Sequence, residues 1–185
     1  MKIIKTKINN VYIIKQKIFK DKRGSFLESY KDTNFKKFKF LNNFVQDNIS
    51  FSKKNVLRGM HYQINNPQSQ LVTILSGIVY DVCVDLRPWS KTFTKWIALD
   101  LDSNKFSQLL MGPGIAHGYY VKSENALIHY KVDKRYKKTN EFGLKWNDPS
   151  ININWPCKNP FINKKDKSFK SLKNFVSTDF PKKVG

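Results

Sequence analysis

Residues 70–86 read Q-L-V-T-I-L-S-G-I-V-Y-D-V-C-V-D-L, and this stretch decides the class of fold. Apolar and polar side chains alternate on both sides of Gly77, which is the period-two pattern of a β-strand. In the second half Ile78, Tyr80, Val82, Val84 and Leu86 share one face, and Asp81 and Asp85 share the other with Val79 and Cys83. The stretch therefore predicts a β-hairpin with strands over 70–76 and 78–86 that turn at Gly77.

The same alternation recurs about every ten residues along most of the chain, with turn-forming Gly, Asn, Asp, Pro and Ser between the segments. Further strands are predicted over residues 11–19, 25–30, 44–51, 56–63, 92–101, 107–111, 118–121 and 126–132. Many short strands at this spacing predict an all-β sandwich or barrel.

Two segments outside the strands carry helical signals. Residues 32–40 predict one short helix, and residues 168–175 predict a second one in a less periodic tail. A chain of 185 residues without internal repeats or linkers has the size of one domain. We therefore predict a single domain over 1–185, with a core over 10–168 and a tail over 169–185 whose last residues are loose.

The formal net charge is +20, from 34 Lys and Arg against 14 Asp and Glu. Nearly all of the excess is scattered lysine, whereas nucleic-acid binders more often concentrate arginine in a basic stripe. No apolar run approaches the roughly 20 residues of a membrane span. We therefore expect neither nucleic acid nor a membrane as partner. The two cysteines do not form a disulfide scaffold, and the N-terminus lacks signal-peptide features, so the cytoplasm is the expected compartment.

The chain has only three histidines, and one of them lies close to one of its few arginines in the segment V-L-R-G-M-H-Y-Q at 56–63. His61 is a candidate general base, and Arg58 can bind an anion through two hydrogen bonds. Residues three apart face opposite sides of a flat strand, so a bulge at Gly59 is needed to bring both into one site. Position 63 is Gln rather than a second histidine, so no metal site is predicted.

Two other segments place candidate side chains. His117 follows a Gly/Pro turn in M-G-P-G-I-A-H-G at 111–118. In the strand over 126–132, Tyr130 shares a face with the apolar residues, and His129 lies on the opposite face. If the Tyr130 face is interior, His129 is a surface residue.

Six motifs follow one another in a fixed order along the chain. They are D-x-R-G-x-F-x-E (21–28), F-V-Q-D-N-x-S (44–50), V-L-R-G-x-H-Y-Q (56–63), D-V-x-V-D-L-R (81–87), G-x-A-H-G (114–118) and W-x-D-P (146–149). Together they resemble the dTDP-4-dehydrorhamnose 3,5-epimerase family, over roughly residues 10–168. The resemblance implies a cupin-type β jelly roll, a homodimer that exchanges N-terminal strands, and no metal or other cofactor. It also implies a nucleotide-diphospho-4-keto sugar as substrate, used for a bacterial surface polysaccharide.

The resemblance implies roles for individual residues as well. The C4 ketone of such a sugar acidifies the protons on C3 and C5, so a base can form an enolate and an acid can return a proton to the opposite face. His61 corresponds to the base, Asp166 to the carboxylate that orients it, and Tyr130 to the acid. Substrate contacts are implied at Arg23, Glu28, Gln46, Asp47, Asn48, Arg58, His117, Glu141 and Lys165, with Tyr136 stacking on the nucleotide base.

Gln70 departs from the family pattern, which has lysine at this position in a G-K-L-V context. An amide can donate a hydrogen bond to the enolate oxygen but provides no full charge. Three alternatives therefore accompany the 3,5-epimerase reading. They are a GDP-4-keto-heptose 3- or 3,5-epimerase, a 3,4-ketoisomerase on a related jelly roll, and a non-catalytic sugar-binding cupin.

Overall fold

The computed structural model describes residues 1–183, and β-strands make up most of its regular secondary structure. The strands are β1 (Lys2–Lys5), β2 (Val11–Lys15), β3 (Phe19–Asp21), β4 (Gly24–Phe26), β5 (Gln46–Lys53), β6 (Leu57–Gln63), β7 (Gln70–Ser76), β8 (Ile78–Asp85), β9 (Trp96–Asp102), β10 (Ser107–Met111), β11 (Ile115–Val121), β12 (Asn125–Val132) and β13 (Glu141–Gly143). Two one-turn α-helices are present, α1 (Asp32–Phe35) and α2 (Lys164–Lys167), together with short 3-10 turns at Ser103–Lys105, Lys138–Asn140, Leu172–Asn174 and Ser177–Asp179. Within residues 1–183, no helix is long and apolar enough to cross a bilayer. The all-β prediction is confirmed.

The strands form two antiparallel sheets that face each other. One sheet has six strands in the order β1-β2-β10-β7-β12-β5, the other has five in the order β13-β6-β11-β8-β9, and β3 and β4 form a separate hairpin. The inner faces bury one apolar cluster, which includes Val72, Ile74, Leu109 and Ile128 from the six-stranded sheet and Val79, Cys83, Leu101 and Val121 from the five-stranded sheet. This arrangement is that of a β jelly roll.

The predicted hairpin around Gly77 is wrong, although both of its strands exist. β7 pairs with β10 and β12 in the six-stranded sheet, whereas β8 pairs with β9 and β11 in the other. Gly77 has φ +88°, and a Cβ there would lie 2.2 Å from the backbone oxygen of Asn125. The glycine therefore turns the chain from one sheet into the other, a step that alternation within each strand does not reveal.

Both outer faces are also covered. Residues from 144 to 162, including Ile151 and Trp155, pack on the outer face of the five-stranded sheet against Val82 and Val84. A cluster of aromatic side chains around Phe38 covers part of the outer face of the six-stranded sheet. Because β8 is buried on both faces, even its polar face with Asp81 and Asp85 is fully shielded from solvent.

Several boundaries differ from those predicted. The helix predicted over 32–40 ends at Phe35, and no helix spans 168–175. Lys170 forms a bridge with Leu144 instead, which holds this part of the tail extended beside β13. β1 and β13 escaped prediction because each is short and is stabilised by pairing with a longer strand.

Most other strands overlap the predicted segments, and β7 and β10 match them exactly. The strand predicted over 11–19 ends at Lys15, the one predicted over 25–30 ends at Phe26, and β3 lies almost entirely outside the predicted strands because it is stabilised by pairing with β4. β11 begins at Ile115 rather than at Gly118, so His117 lies within the strand that follows the Gly/Pro turn. The tail packs back onto β6, where the Tyr62 hydroxyl donates to the carbonyl oxygen of Asp179 at 2.6 Å. Val184 and Gly185, the end of the predicted loose tail, lie outside the described residues.

Candidate active site

A cavity of about 400 Å³ opens between the two sheets. Its six-stranded wall carries Gln46, Asn48, Ser50, Gln70 and Tyr130, and its five-stranded wall carries Arg58, His61, Gln63, His117 and Tyr119. Tyr136 and Glu141, which follow β12, also line it. Candidate residues from the two sheets, which are distant in sequence, therefore face the same cavity.

His61 on β6 lines the cavity and is backed by a buried carboxylate. Its Nε2 lies 3.0 Å from Oδ1 of Asp166, whose side chain is 1% exposed. Asp166 lies in α2, and its Oδ2 accepts a hydrogen bond of 3.0 Å from the backbone N–H of Gly59. If Nε2–H of a neutral imidazole donates to this carboxylate, Nδ1 carries the lone pair and can accept a proton. The predicted pair is thus present across 105 positions of sequence.

The Asp166 carboxyl is held in its charged form. Burial acts to raise its pKa, but hydrogen bonds from His61, the Gly59 amide and Asn163 outweigh burial and lower the pKa below its ordinary value. A carboxylate that stays ionised can both orient His61 and stabilise its protonated form. The Phe169 ring, edge-on to the imidazole with centroids 5.5 Å apart, packs against the same histidine.

A bulge in β6 brings Arg58 and His61 to the same cavity. His61 is opposite His117 on β11, and Arg58 is opposite Tyr119, so a three-residue step on β6 matches a two-residue step on its partner. Gly59 lies within this step with φ +119°, and a Cβ there would meet the Cα of the facing β11 glycine at 2.6 Å. The bulge predicted at Gly59 is confirmed, and it explains how residues three apart share one site.

Arg58 is held in place by a hydroxyl network. Its Nε donates to Ser52 Oγ at 3.0 Å, and its Nη2 donates to the carbonyl oxygen of Phe51 at 3.3 Å. The Tyr119 hydroxyl lies 3.2 Å from Ser52 Oγ and 2.8 Å from Ser50 Oγ. The guanidinium is therefore oriented before any anion arrives.

Tyr130 projects from the wall opposite His61. It lies on β12 between Asn48 and Val72 of the neighbouring strands, and it packs against the inner core. Burial, followed by the influence of Tyr119, raises the pKa of Tyr130 above its ordinary value, so the phenol stays protonated at neutral pH. The predicted inward face of Tyr130 is confirmed, and His129 lies on the outer face.

A second histidine–carboxylate pair lies beside the first. Nε2 of His117 is 2.9 Å from both carboxylate oxygens of Asp81, which is fully buried on β8. The sequence identified His117 but assigned no role to Asp81. An acidic residue on one face of an otherwise apolar strand was the available signal, and only the pairing of β8 with β11 reveals its partner.

The rim of the cavity is fixed by Tyr136 and Glu141. The Tyr136 hydroxyl donates to Glu141 Oε2 at 2.6 Å, and Lys165 forms an ion pair with the same oxygen. Burial acts to raise the pKa of Glu141, but these two partners hold it below its ordinary value, while the hydrogen bond to Glu141 raises the pKa of Tyr136 to about 12. Gln46 accepts from the Tyr136 backbone N–H at 3.0 Å and joins the rim to β5.

Three of the predicted substrate contacts lie away from the cavity. Arg23 is 91% exposed in the β3–β4 hairpin and pairs with Asp21, and Glu28 is exposed just beyond it. Asp47 lies on the outer face of β5, because side chains alternate along a strand and its neighbours Gln46 and Asn48 face the cavity. There it pairs with Lys131 at 2.7 Å. Ser50 and Tyr119 line the cavity instead, and Ser52 holds Arg58 beside it, although the sequence analysis named none of the three. The Q-x-N-x-S-x-S alternation of β5 was a signal for the two serines.

Among residues 1–183, no three His, Cys, Asp or Glu side chains converge in a group that could hold a metal ion. The fold and the cavity define a jelly-roll protein with opposed acid–base groups and an oriented arginine, a set suited to proton transfer on an anionic ligand.

Comparison with known proteins agrees with this class. The family model of dTDP-4-dehydrorhamnose 3,5-epimerase matches residues 5–174. The chain is 44% identical to the dTDP-4-dehydrorhamnose 3,5-epimerase of Shigella flexneri over 90% of this chain and 93% of that relative. It is 41% identical to the Salmonella typhimurium enzyme of the same name, over 97% of this chain and 100% of the relative.

A solved structure is similar over the whole length. The crystal structure of dTDP-6-deoxy-D-glucose-3,5-epimerase from Legionella pneumophila in complex with dTDP-4-keto-L-rhamnose superposes with a TM-score of 0.94 at 37% identity, covering 100% of this chain and 99% of that one. The chain belongs to the dTDP-4-dehydrorhamnose 3,5-epimerase family.

Proposed function

We propose that this protein is a dTDP-4-keto-6-deoxyhexose 3,5-epimerase, an isomerase that inverts C3 and C5 through enolates. The observation that carries this proposal is the placement of the His61–Asp166 pair and Tyr130 on opposite walls of one cavity. Inversion requires removal of a proton from one face of the sugar and delivery to the other, and two groups on one wall could not do this.

In the proposed reaction, Nδ1 of His61 removes the proton from C3 or C5 next to the C4 ketone. The C–H electron pair forms a double bond to C4 while the C4 carbonyl π electrons move onto its oxygen, which gives the enolate, and Asp166 stabilises the imidazolium. Tyr130 then donates its phenolic proton to the same carbon from the opposite face. Gln70 and His117, whose imidazole contacts Asp81, line the cavity and would offer hydrogen bonds to the enolate oxygen.

The nucleotide half would be held by Arg58 at the diphosphate and by Tyr136 at the base. Relatives over nearly the full chain are named as dTDP-sugar epimerases, which favours the dTDP-linked hexose over the GDP-linked heptose, the ketoisomerase and the non-catalytic alternatives. The product would be a deoxysugar nucleotide available for transfer into a surface polysaccharide.

We further propose a homodimer in which the β3–β4 hairpin of each copy reaches the cavity of the other. The hairpin carries two exposed aromatic side chains, Phe19 at 48% and Phe26 at 66%, beside Arg23. Ile49 and Phe51 are also exposed, on the outer face of the edge strand β5. Exposed apolar side chains near a sheet edge favour a protein–protein contact. Arg23 and Glu28 do not reach the cavity of their own protomer, and the exchange would bring them to the substrate in the cavity of the other copy.

The activity is tested by incubating the protein with a dTDP-4-keto-6-deoxyhexose in D₂O and following C3 and C5 by NMR. We expect deuterium at both carbons, and the product should show inversion at both. Absence of deuterium at both carbons with this substrate would exclude the proposed function. The dimer is tested separately by sedimentation, where Phe19→Ser/Phe26→Ser should shift the protein to monomer; a wild-type monomer contradicts the exchange.

A further inference from the structure

Phe169 fills the space that Gly143 leaves beside the proposed base. Gly143 on β13 is directly opposite His61 on β6, so side chains at these two positions would be neighbours on one face of the sheet. A Cβ at Gly143 would lie 2.2 Å from two atoms of the Phe169 ring. That ring contacts the imidazole at an interplanar angle of 90°, with centroids 5.5 Å apart. The glycine therefore makes room for an aromatic ring at His61.

The main chain is fixed on both sides of Phe169. Asp166 precedes it by three residues and holds His61 through the hydrogen bond of 3.0 Å. The next residue, Lys170, accepts a hydrogen bond of 2.9 Å at its carbonyl oxygen from the backbone N–H of Lys145. One short segment thus supplies both the carboxylate that bonds to the imidazole and the ring that packs on it.

The hydrogen bond to Asp166 by itself restricts the imidazole of His61 only weakly. Nε2 is at the far end of the ring, close to the axis of the Cβ–Cγ bond, whereas Nδ1 lies to one side of that axis. Rotation about this bond, a torsion with a broad energy minimum in histidine, therefore moves Nδ1 much farther than Nε2. The side chain is also 34% exposed, so the cavity leaves it room to turn. Asp166 decides which nitrogen carries the proton, and a second contact is needed to decide where Nδ1 points.

We propose that Phe169 is a positioning residue that holds the plane of the His61 imidazole, so that Nδ1 stays directed at the sugar carbon whose proton it removes. This inference rests on the proposed function for the role of His61 as the base. Phe169 exchanges no proton itself. It acts through the imidazole, because a reacting group displaced by about 1 Å can lose ~10²-fold in rate.

The first test compares two half-buried phenylalanines of the C-terminal segment. Phe169→Ala removes the ring beside His61. Phe175→Ala is the matched control, because Phe175 packs on the outer face of the five-stranded sheet and against Phe180, with ring centroids 5.4 Å apart. The measurements are kcat and KM with a dTDP-4-keto-6-deoxyhexose, followed by deuterium exchange, and Tm from thermal melts.

We expect Phe169→Ala to lower kcat about 10- to 100-fold and to leave KM nearly unchanged, because only the geometry of the base is affected. Phe169→Leu keeps part of the bulk and should recover part of this rate. Phe175→Ala should lower Tm as much as Phe169→Ala while its kcat stays at the wild-type value. Equal losses of kcat in Phe169→Ala and Phe175→Ala at similar Tm would overturn the inference, since they would indicate a structural role alone.

Gly143→Ala tests the same contact from the opposite side and does not depend on the folding of Phe169→Ala. Gly143 has the strand conformation of β13, which alanine readily adopts, so the new Cβ acts by displacing the Phe169 ring. This variant should lower kcat about tenfold, and it should cause no further loss when combined with Phe169→Ala, because the displaced ring is then absent. Losses that multiply in the double variant would show that the two residues act independently and would contradict the proposal.

Imidazole NMR separates this proposal from the proposed function, because it requires no sugar. Nitrogen chemical shifts should show His61 protonated at Nε2 in both wild type and Phe169→Ala, since Asp166 is unchanged. Carbon relaxation of the ring should show a more mobile His61 in Phe169→Ala and not in Phe175→Ala. A His61 ring of equal mobility in the two variants, or loss of the Nε2–H tautomer in Phe169→Ala, would refute the positioning role. Greater mobility in Phe169→Ala together with no exchange by wild type would support that role and exclude the epimerase.

Discussion

Asp166→Asn is the substitution that most directly tests the proposed base. Asp166 accepts two hydrogen bonds, from the Gly59 backbone N–H and from Nε2 of His61, both at 3.0 Å. Asparagine has nearly the same shape but offers one accepting oxygen and one donating NH₂. The Gly59 N–H can only donate, so the amide oxygen must face Gly59 and the NH₂ group must face His61. Nε2 must then accept, which places the proton on Nδ1.

The variant therefore carries the wrong tautomer of His61 and cannot use Nδ1 as a base. A change with the same consequence lowers kcat about 10⁴-fold in serine-protease triads, and general-base contributions are typically ~10²–10⁴-fold. We expect deuterium exchange at C3 and C5 to fall about 10³-fold, equivalent to about 4 kcal/mol in the activation free energy. Because the Gly59 hydrogen bond is retained, thermal stability should change little.

The assay combines exchange rates in D₂O with ¹⁵N NMR of the imidazoles, which is tractable with three histidines in the chain. Asp148→Asn is the matched control, since Asp148 is 1% exposed and accepts backbone hydrogen bonds from Ser150, Ile151 and Leu172 outside the cavity. It should lower stability and leave exchange intact. Exchange at the wild-type rate in Asp166→Asn, or a lost rate with His61 still protonated at Nε2, would refute the reasoning.

Three further outcomes are expected. Gly59→Ala should reduce the free energy of unfolding by about 1–3 kcal/mol more than Gly24→Ala in urea melts, because both positions have positive φ but a Cβ meets neighbouring backbone only at Gly59; equal losses would contradict this. Tyr130→Phe should keep deuterium exchange at the first carbon while lowering inverted product ~10²–10⁴-fold by NMR, and unchanged product formation would exclude its acid role. Burial acts to raise the pKa of Asp85, but hydrogen bonds from Arg87, Ser90 and Thr92 hold this pKa below its ordinary value of 3.8. The ionised Asp85 therefore contributes its full stabilisation above about pH 4, and this stabilisation is lost as the pH falls through the lower folded-state pKa. Asp85→Asn should therefore flatten the decline of Tm below about pH 4, and an unaltered acid profile would argue against it.

Local pattern predicted the strands well where side chains decide them. β7 and β10 match the alternation residue for residue, and Tyr130 faces inward as its neighbours predict. Pattern failed where a distant partner decides the conformation. β13 exists because it pairs with β6, and Lys170 is extended because it bridges to Leu144. Propensity summed over neighbouring residues contains no term for such contacts.

Some residues of the candidate site could likewise be identified from the sequence, and others only from the structure. Residue type and local spacing identified His61 and Arg58 and the face on which Tyr130 lies, whereas the roles of Tyr130 and Asp166 came from the resemblance to the epimerase family. It placed Asp47 with them because the motif is contiguous, whereas the pleat of β5 turns Asp47 to the outer face beside Lys131. It assigned no partner to Asp81, because the pairing of β8 with β11 that joins Asp81 to His117 is not a local property.

The sequence by itself determined that the chain forms short alternating strands and which side chains can exchange protons or bind an anion, because both follow from residue type and a period of two. Only the tertiary structure decided that β7 and β8 belong to different sheets, that the Gly59 bulge turns Arg58 into the same cavity as His61, and that Tyr130 faces His61 across that cavity. The physical reason is that these relations depend on how two sheets pack and on hydrogen bonds between residues far apart in sequence, such as the 105-residue span from His61 to Asp166.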